Sequence, residues 1–536
     1  MDTIRLRRAT GGALLAATLF LSGCSSGGSD PSPPSSRPTA PTGSAPTGTA
    51  PAREATAALL KPLPTAVPAA LRPYYDQKLT WRPCDTAPTF ECATLKAPLD
   101  YAAPDAATDL KLAVSRKKAT GPGARIGALM VNPGGPGSSA IDYLQQYAPE
   151  PAPVRARYDM VAMDPRGVGR SAPIACLPDR EMDAYTQTDQ TPDTPAEVTR
   201  LTAAYRDFAR ACRARSGARL GHVSTIEAAR DMDVLRAVLG DRKLTYVGAS
   251  YGTLLGATYA GLYPSRVGRL VLDGAMDPSL NARTINREQT AGFETAFTAF
   301  ATDCAKRPDC PLGTGRPETV GKRLSAFFAD LDRHPVATGT TRRLTESLAT
   351  TGVIAAMYDE NSWPLLREAL ARTQKGDGSG LLALADSYYE RDPDGTYANQ
   401  TAANPAVNCL DLPAAFSGPD EVRAALPSFR AASPVFGEGF AWSAANCASW
   451  PVKPTGTPHR IKAEGAAPIL VVGTTRDPAT PYRWAQGLAS QLSSGTLLTY
   501  EGDGHTAYGR GSDCVDTAIN TYLLEGTPPP AHKQCT

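Results

Sequence analysis

Acyl transfer through a covalent intermediate needs a hydroxyl nucleophile, an imidazole to take its proton and a carboxylate to hold that imidazole. The chain offers each of these just past an apolar run. Gly248-Ala249-Ser250-Tyr251-Gly252 follows Leu244-Thr245-Tyr246-Val247. A serine between two glycines at that place fits a strained strand-to-helix turn that exposes its hydroxyl. It also fits an ordinary turn that needs small residues, and the pentapeptide alone does not separate the two. His505 closes "GDGH" after the run "GTLLTY" and is one of five histidines. His222 precedes a helix, His334 precedes a proline, His459 lies in a Pro/Lys-rich loop and His532 in the C-terminal tail. Asp477 follows "ILVVGTTR". The order Ser250, Asp477, His505 is that of a hydrolase triad built on an open α/β sheet. Asp273, at the end of "RLVLD", is a rival acid, and Asp503 reads as a residue that shapes the histidine turn.

The oxyanion of such a reaction needs backbone N–H groups that can approach it closely. "NPGGPG", residues 132–137, supplies a glycine loop after the run "IGALMV". The expected donors are the amides of Tyr251 and Gly135, with Gly134 as second choice. No Cys or His pair has zinc-site spacing, so neither a metal nor a cofactor is expected.

Elements that could hold these residues can be read from the pattern. "IGALMV", "YDMVAM", "KLTYV", "VGRLVL", "APILVV" and "GTLLTY" are short apolar runs ending in Gly, Asp or Asn, as strands buried on both faces of a parallel sheet do. Thr89–Leu95 and Leu110–Arg116 read as an antiparallel entry pair, which gives eight strands. Helical stretches separate several of them. Ser224-x-x-Glu227 and Thr194-Pro195-Ala196-Glu197 are capping boxes that open two such helices. Alternation of this kind predicts an α/β fold with a mostly parallel sheet. It is broken between residues 278 and 445, where only helical patterns occur: Asn286–Ala305, Thr319–Leu331, Leu344–Tyr358, Trp363–Arg372 and Pro419–Leu426. That stretch reads as an inserted helical cap. Core segments at 71–277 and 446–536 flank it.

The N-terminus is of another kind. Arg5, Arg7 and Arg8 precede the short apolar stretch Ala13–Leu21, and then comes Leu21-Ser22-Gly23-Cys24. This is the pattern of a lipoprotein export signal over residues 1–24, with Cys24 as the lipidated residue. Residues 25–70 are rich in Ser, Pro, Gly, Thr and Ala and read as a disordered linker. Export implies an oxidising compartment. Of eleven cysteines, assigning Cys24 to lipid leaves an even number. Their sequence neighbours suggest Cys84–Cys92, Cys176–Cys212, Cys304–Cys310, Cys409–Cys447 and Cys514–Cys535, though sequence leaves other connectivities open. A net charge of +2 over 536 residues argues against a nucleic-acid partner. Contact with a membrane is expected through the lipid alone.

Taken together, "VNPGGPGSSA", "DPRGVGRS", "GASYGT", "LDGAMDP", "RDPATP" and "GDGH" resemble the tripeptidyl aminopeptidase-like α/β-hydrolases. These are exported actinobacterial serine exopeptidases related to the prolyl aminopeptidases. The resemblance covers most of residues 75–536, including a C-terminal block from about Ala445 to Cys535. The lipobox adds a likeness to the mycelium-associated lipoprotein peptidases of that group. The resemblance implies an α/β-hydrolase fold and peptide substrates, with Ser250 as nucleophile, Asp477 as acid and His505 as base. Ser139 stands where the family more often has glycine. The expectation is a lipid-anchored enzyme on the extracellular face of the membrane that releases short peptides, tripeptides by the resemblance, from free N-termini. A carboxylesterase or lipase with the same triad is the first alternative, and a noncatalytic binding lipoprotein the second. An exopeptidase must pair the substrate ammonium with a carboxylate. Asp411, Glu360 and Asp359 in the cap are the candidates, Asp411 first.

Overall fold

The computed structural model describes residues 57–536 apart from Pro122 and Glu150. The export signal, Cys24 and the first part of the linker lie outside the described residues. Residues 57–70, expected in the linker, are instead part of the fold. Ala58–Leu59 pairs with His459–Arg460, Leu63 N–H donates to the Leu262 carbonyl at 2.9 Å, and Leu60, Leu63 and Val67 pack on the main core. Those apolar side chains, scattered among prolines, offset the entropy cost of ordering residues 57–70.

The strands are β1 (Ala58–Leu59), β2 (Arg82–Pro83), β3 (Glu91–Ala97), β4 (Leu110–Lys117), β5 (Gly127–Asn132), β6 (Tyr158–Met163), β7 (Leu244–Ala249), β8 (Val267–Asp273), β9 (His459–Arg460), β10 (Ile469–Arg476), β11 (Gly495–Asp503) and β12 (Lys533–Cys535). Ten of them form one sheet in the order β12-β11-β10-β8-β7-β5-β6-β4-β3-β2. It is parallel from β12 to β6 and antiparallel over β4, β3 and β2. The central strand β5 is buried along its whole length, whereas β3 alternates buried and exposed positions. That difference follows from helices covering both faces of the parallel part and leaving an edge open.

The sheet has ten strands rather than the eight expected. The two additions, β2 and β12, are edge strands of two and three residues. Their sequences carry no β signal because disulfides rather than apolar side chains tie them down. Cys92 in β3 bonds to Cys84 just after β2, and Cys535 in β12 bonds to Cys514.

Strand order reverses beside β5. The chain passes from β5 to β6 on one side, then crosses back to β7 on the other. Ligands gather at the carboxyl ends of strands flanking such a switch point. Here it sets the loop after β5 beside the turn after β7. Helix Thr225–Val238 leads into β7, and Ser224 caps it by accepting from Glu227 N–H. Helix Pro195–Ser216 has the full capping box of Thr194 and Glu197.

Between β8 and β10 lie the helices Ala282–Ala305, Pro317–Arg333, Glu346–Met357, Trp363–Thr373, Ser379–Tyr388, Gln400–Asp411, Pro419–Ala432 and Gly437–Ser443. Ser379–Tyr388, Gln400–Asp411 and Gly437–Ser443 were not expected. Gln400–Asp411 holds Pro405 in its interior, which reads as a helix breaker, and Gly437–Ser443 has glycines at its first and third positions. The insertion has an apolar cluster of its own built on Phe293, Phe297, Phe300, Leu348 and Leu366. Among the described residues no helix is long and apolar enough to cross a membrane.

Candidate active site

Ser250 sits between β7 and helix Tyr251–Leu262 with φ 56° and ψ −125°. Few non-glycine residues hold that conformation, and at strand-to-helix turns it marks a nucleophile elbow. The flanking glycines are forced by close approach. A Cβ on Gly248 would lie 2.4 Å from the Gly252 carbonyl oxygen, and one on Gly252 would lie 2.7 Å from that of Asn132. The elbow is held from below, because Ser250 N–H donates to the Asp273 carbonyl at 2.9 Å.

His505 lies in the loop after β11. Its Nδ1 is 2.9 Å from both Asp477 carboxylate oxygens, so Nδ1 carries the proton and Nε2 is left to accept one. Asp477 is 2 % exposed and is fixed by further donors. Ala479 N–H and Thr480 N–H reach Oδ1 at 2.9 and 2.8 Å. Thr480 Oγ1 and Thr506 N–H reach Oδ2 at 3.0 and 3.2 Å. Gly274 joins the two halves of the site. It directly follows the Asp273 carbonyl that anchors Ser250, and a Cβ on it would lie 3.2 Å from His505 Cε1.

Asp273, the rival acid, has a different task. It is fully buried, which pushes its carboxyl up, and it accepts from Ala507 N–H and Tyr508 N–H at 2.9–3.0 Å. It thereby shapes the loop that carries His505 without touching the imidazole. Asp503 is held by Arg476 in a two-pronged pair at 2.7 Å.

The loop after β5 comes close to the elbow. A Cβ on Gly134 would lie 2.8 Å from Tyr251 N and 2.9 Å from Ser250 Cβ. Gly134 N–H is itself spent on Asn132 Oδ1 at 3.0 Å. The amides of Gly135 and Tyr251 have no acceptor among the described residues, so these two are free to meet a developing negative charge. Ser139 caps helix Ala140–Gln146 by accepting from Asp142 N–H and donates to Asp164 at 2.7 Å. Its hydroxyl therefore serves the loop's frame. "DPRGVGRS" is also framework, since buried Arg166 grips Asp231 through two bonds of 2.7 Å.

The structure corrects the role expected of Asp411. Its Oδ1 accepts Thr225 N–H at 2.9 Å and its Oδ2 the Thr225 hydroxyl at 2.5 Å. That hydroxyl lies 2.6 Å from Tyr251 Oη. Asp411 thus closes the N-terminus of helix Thr225–Val238 and steadies the residue after Ser250, with both of its oxygens already accepting from Thr225. Burial lifts its carboxyl from 3.8 to about 6. Glu360 and Asp359 lie beside the histidine loop. Asp359 pairs with Arg510 at 2.9 Å, while Glu360 is exposed and is raised by partial burial and by Asp503.

Glu390 is a residue that periodicity could not single out. It follows helix Ser379–Tyr388 with φ 51°. Burial and the charge of Asp142 raise its carboxyl from 4.5 to about 7. That carboxylate has no hydrogen-bond or ion-pair partner among the described residues. Tyr388, two positions earlier, has its ring 6.1 Å from that of Tyr358, which stands edge-on to His505 at 5.4 Å.

All five disulfides join the neighbours expected: Cys84–Cys92, Cys176–Cys212, Cys304–Cys310, Cys409–Cys447 and Cys514–Cys535. Asp100, His222 and Glu227 bring possible ligand atoms within 4.8 Å of one another. Glu227 there already pairs with Arg166 at 3.4 Å.

Sheet order, elbow and histidine loop define an α/β-hydrolase. Residues 433–535 match the TAP-like protein family. The chain is 39 % identical over 485 residues to "Serine protease Hip1" of Mycobacterium tuberculosis, covering 86 % of this chain and 92 % of that protein. It is 40 % identical over 455 residues to "Carboxylesterase B" of the same organism, covering 83 % and 86 %. It is 33 % identical over 452 residues to "Tripeptidyl aminopeptidase" of Streptomyces lividans, covering 81 % and 82 %. The chain belongs to the TAP-like α/β-hydrolase family and is a serine hydrolase.

Proposed function

We propose that this serine hydrolase is an exopeptidase that releases short peptides from free N-termini through an acyl-enzyme on Ser250. Ser250 Oγ attacks the scissile carbonyl carbon while its proton passes to His505 Nε2. Asp477 holds the imidazole by Nδ1–H and balances its charge. The tetrahedral oxyanion takes hydrogen bonds from the amides of Gly135 and Tyr251. His505 then gives the proton to the leaving amine and the C–N bond breaks. Water, deprotonated by the same imidazole, cleaves the ester and restores Ser250.

The observation that carries the exopeptidase reading over a plain esterase is Glu390. A partly desolvated carboxylate with no partner is costly, and an ammonium group would offset that cost. Glu360, in the turn that contacts the histidine loop, is a second acidic group available to such an ammonium. A neutral ester has no use for either. Two relatives, named as a protease and a tripeptidyl aminopeptidase, favour peptides. The third, named as a carboxylesterase, supports the alternative of ester substrates. The helical insertion is proposed as a cap over the site. Cys24 is proposed as the lipid anchor at the outer membrane face, and five disulfides suit that oxidising side. The test is cleavage of matched peptides with a free and an N-acetylated end. Cleavage of the free peptide alone supports the reading, and equal cleavage of both removes it.

A further inference from the structure

The insertion touches the loops of the site at separate points. Gln289 Nε2 donates to the Ala479 carbonyl at 2.8 Å, beside Asp477. Asn404 Nδ2 donates to the Pro136 carbonyl at 3.1 Å, in the loop that holds Gly135. The densest attachment is to His505. The Tyr358 carbonyl accepts His505 N–H at 2.8 Å. The Tyr358 ring stands edge-on to the imidazole, 5.4 Å between centroids at 84°. Arg510 then bridges the two segments, with Nη1 on the His505 carbonyl at 3.1 Å and Nη2 on Asp359 Oδ1 at 2.9 Å. Both main-chain polar groups of the histidine are therefore engaged through the turn 358–359, one directly and one through a guanidinium. Gly504 makes this approach feasible. Its φ is 86°, and a Cβ there would lie 2.6 Å from Arg510 Nη2 and 3.0 Å from the Tyr358 oxygen.

We infer that Tyr358, Asp359 and Arg510 form a latch by which the helical insertion positions His505, so that Arg510 and Asp359 are positioning residues for catalysis. The inference rests on His505 being the base. Asp477 fixes one atom of the imidazole, and Asp477 and Asp273 hold the main chain of residues 506–508 after it, but neither holds the N–H or carbonyl of His505 itself. The latch fixes the loop's backbone on both sides of the ring and so sets where Nε2 points. Proton transfer is steeply sensitive to such placement, and a misplacement of about 1 Å costs about 100-fold. Substrate binding does not depend on that vector, so the effect belongs in kcat.

The test compares Arg510→Gln, Arg510→Lys, Asp359→Asn and the double variant Arg510→Gln/Asp359→Asn in the full chain. The readouts are kcat and KM on a small neutral ester, and the rate of labelling by a fluorophosphonate, which also needs the base. Arg510→Gln is expected to lower kcat and the labelling rate about 10- to 100-fold with KM within about twofold. Arg510→Lys recovers part of the loss, because an ammonium reaches one of the two acceptors. The double variant is no worse than Arg510→Gln, since both changes break one unit. Arg367→Gln breaks the pair with Asp303 elsewhere in the insertion and leaves both rates unchanged. Should Arg510→Gln not fold, Asp359→Asn carries the test, because that side chain is 41 % exposed. Wild-type rates in both Arg510→Gln and Asp359→Asn, a loss confined to KM, or an equal loss in Arg367→Gln would overturn the latch. Labelling of the wild-type chain at Ser250 together with undiminished activity in His505→Ala would overturn the assignment beneath it instead.

Discussion

Asp477→Asn separates the two buried acids. Oδ1 of Asp477 receives two main-chain N–H groups, from Ala479 and Thr480, at 2.9 and 2.8 Å. An amide must therefore keep its oxygen at that position. Its NH2 falls where Oδ2 now accepts from Thr506 N–H at 3.2 Å and faces His505 Nδ1 at 2.9 Å. A donor then replaces one of the two acceptors at Nδ1, and the negative charge that held the Nδ1–H tautomer is gone. The remaining oxygen, also 2.9 Å from Nδ1, is shared with two main-chain N–H groups. The ring answers by moving its proton to Nε2, the nitrogen that must accept from Ser250. An analogous change in a serine protease lowers kcat about 10,000-fold, which is about 5 kcal/mol of barrier. Asp273→Asn disturbs only the N–H groups of Ala507 and Tyr508. Its cost is expected mainly in stability, about 1–3 kcal/mol, with a smaller loss of rate. The assay is kcat on a chromogenic ester beside a melting curve for each variant. The reasoning fails if Asp477→Asn stays within about tenfold of wild type, or if Asp273→Asn loses as much rate while melting like the wild type.

Glu390→Gln should raise KM for a free-amino tripeptide substrate about tenfold or more, leaving a neutral ester unaffected; equal KM for both proteins removes Glu390 from recognition. Because Glu390 is raised to about 7, kcat/KM for the free peptide should climb more steeply than for the ester as pH rises through 7, and parallel profiles would contradict this. Asp411→Asn should fold and should flatten the dependence of melting temperature on pH. The folded-state value near 6 lies above the ordinary 3.8, so the carboxyl is most favourable below pH 4, and up to about 3 kcal/mol is lost as pH rises through 6; an unchanged slope refutes that. Replacing Cys176 and Cys212 by serine opens a crosslink of sequence separation 36 and should cost about 3–4 kcal/mol in denaturant unfolding, whereas an unchanged midpoint would show that the bridge contributes nothing.

Much of this architecture was legible because chemistry and periodicity coincided. Apolar runs ending in Gly, Asp or Asn marked every central strand, and their ends carried Ser250, Asp477 and His505 in hydrolase order. Local cysteine spacing gave the right pairs because each bridge closes a short stretch. The edge strands β2 and β12 were hidden, since disulfides replace side-chain burial there. Helix Gln400–Asp411 was hidden by Pro405. The framework role of Asp411 was hidden because its partner Thr225 is 186 positions away, and only tertiary structure brings the two together. Glu390 lacked any signal for the converse reason: its significance is the lack of a partner, which a one-dimensional pattern cannot display.

The most direct measurement is mass-spectrometric mapping of the chain after reaction with a fluorophosphonate. The account predicts a single phosphonyl adduct on the peptide carrying Ser250, absent in Ser250→Ala and strongly slowed in His505→Ala. An adduct on another serine, or undiminished labelling of Ser250→Ala, would contradict it.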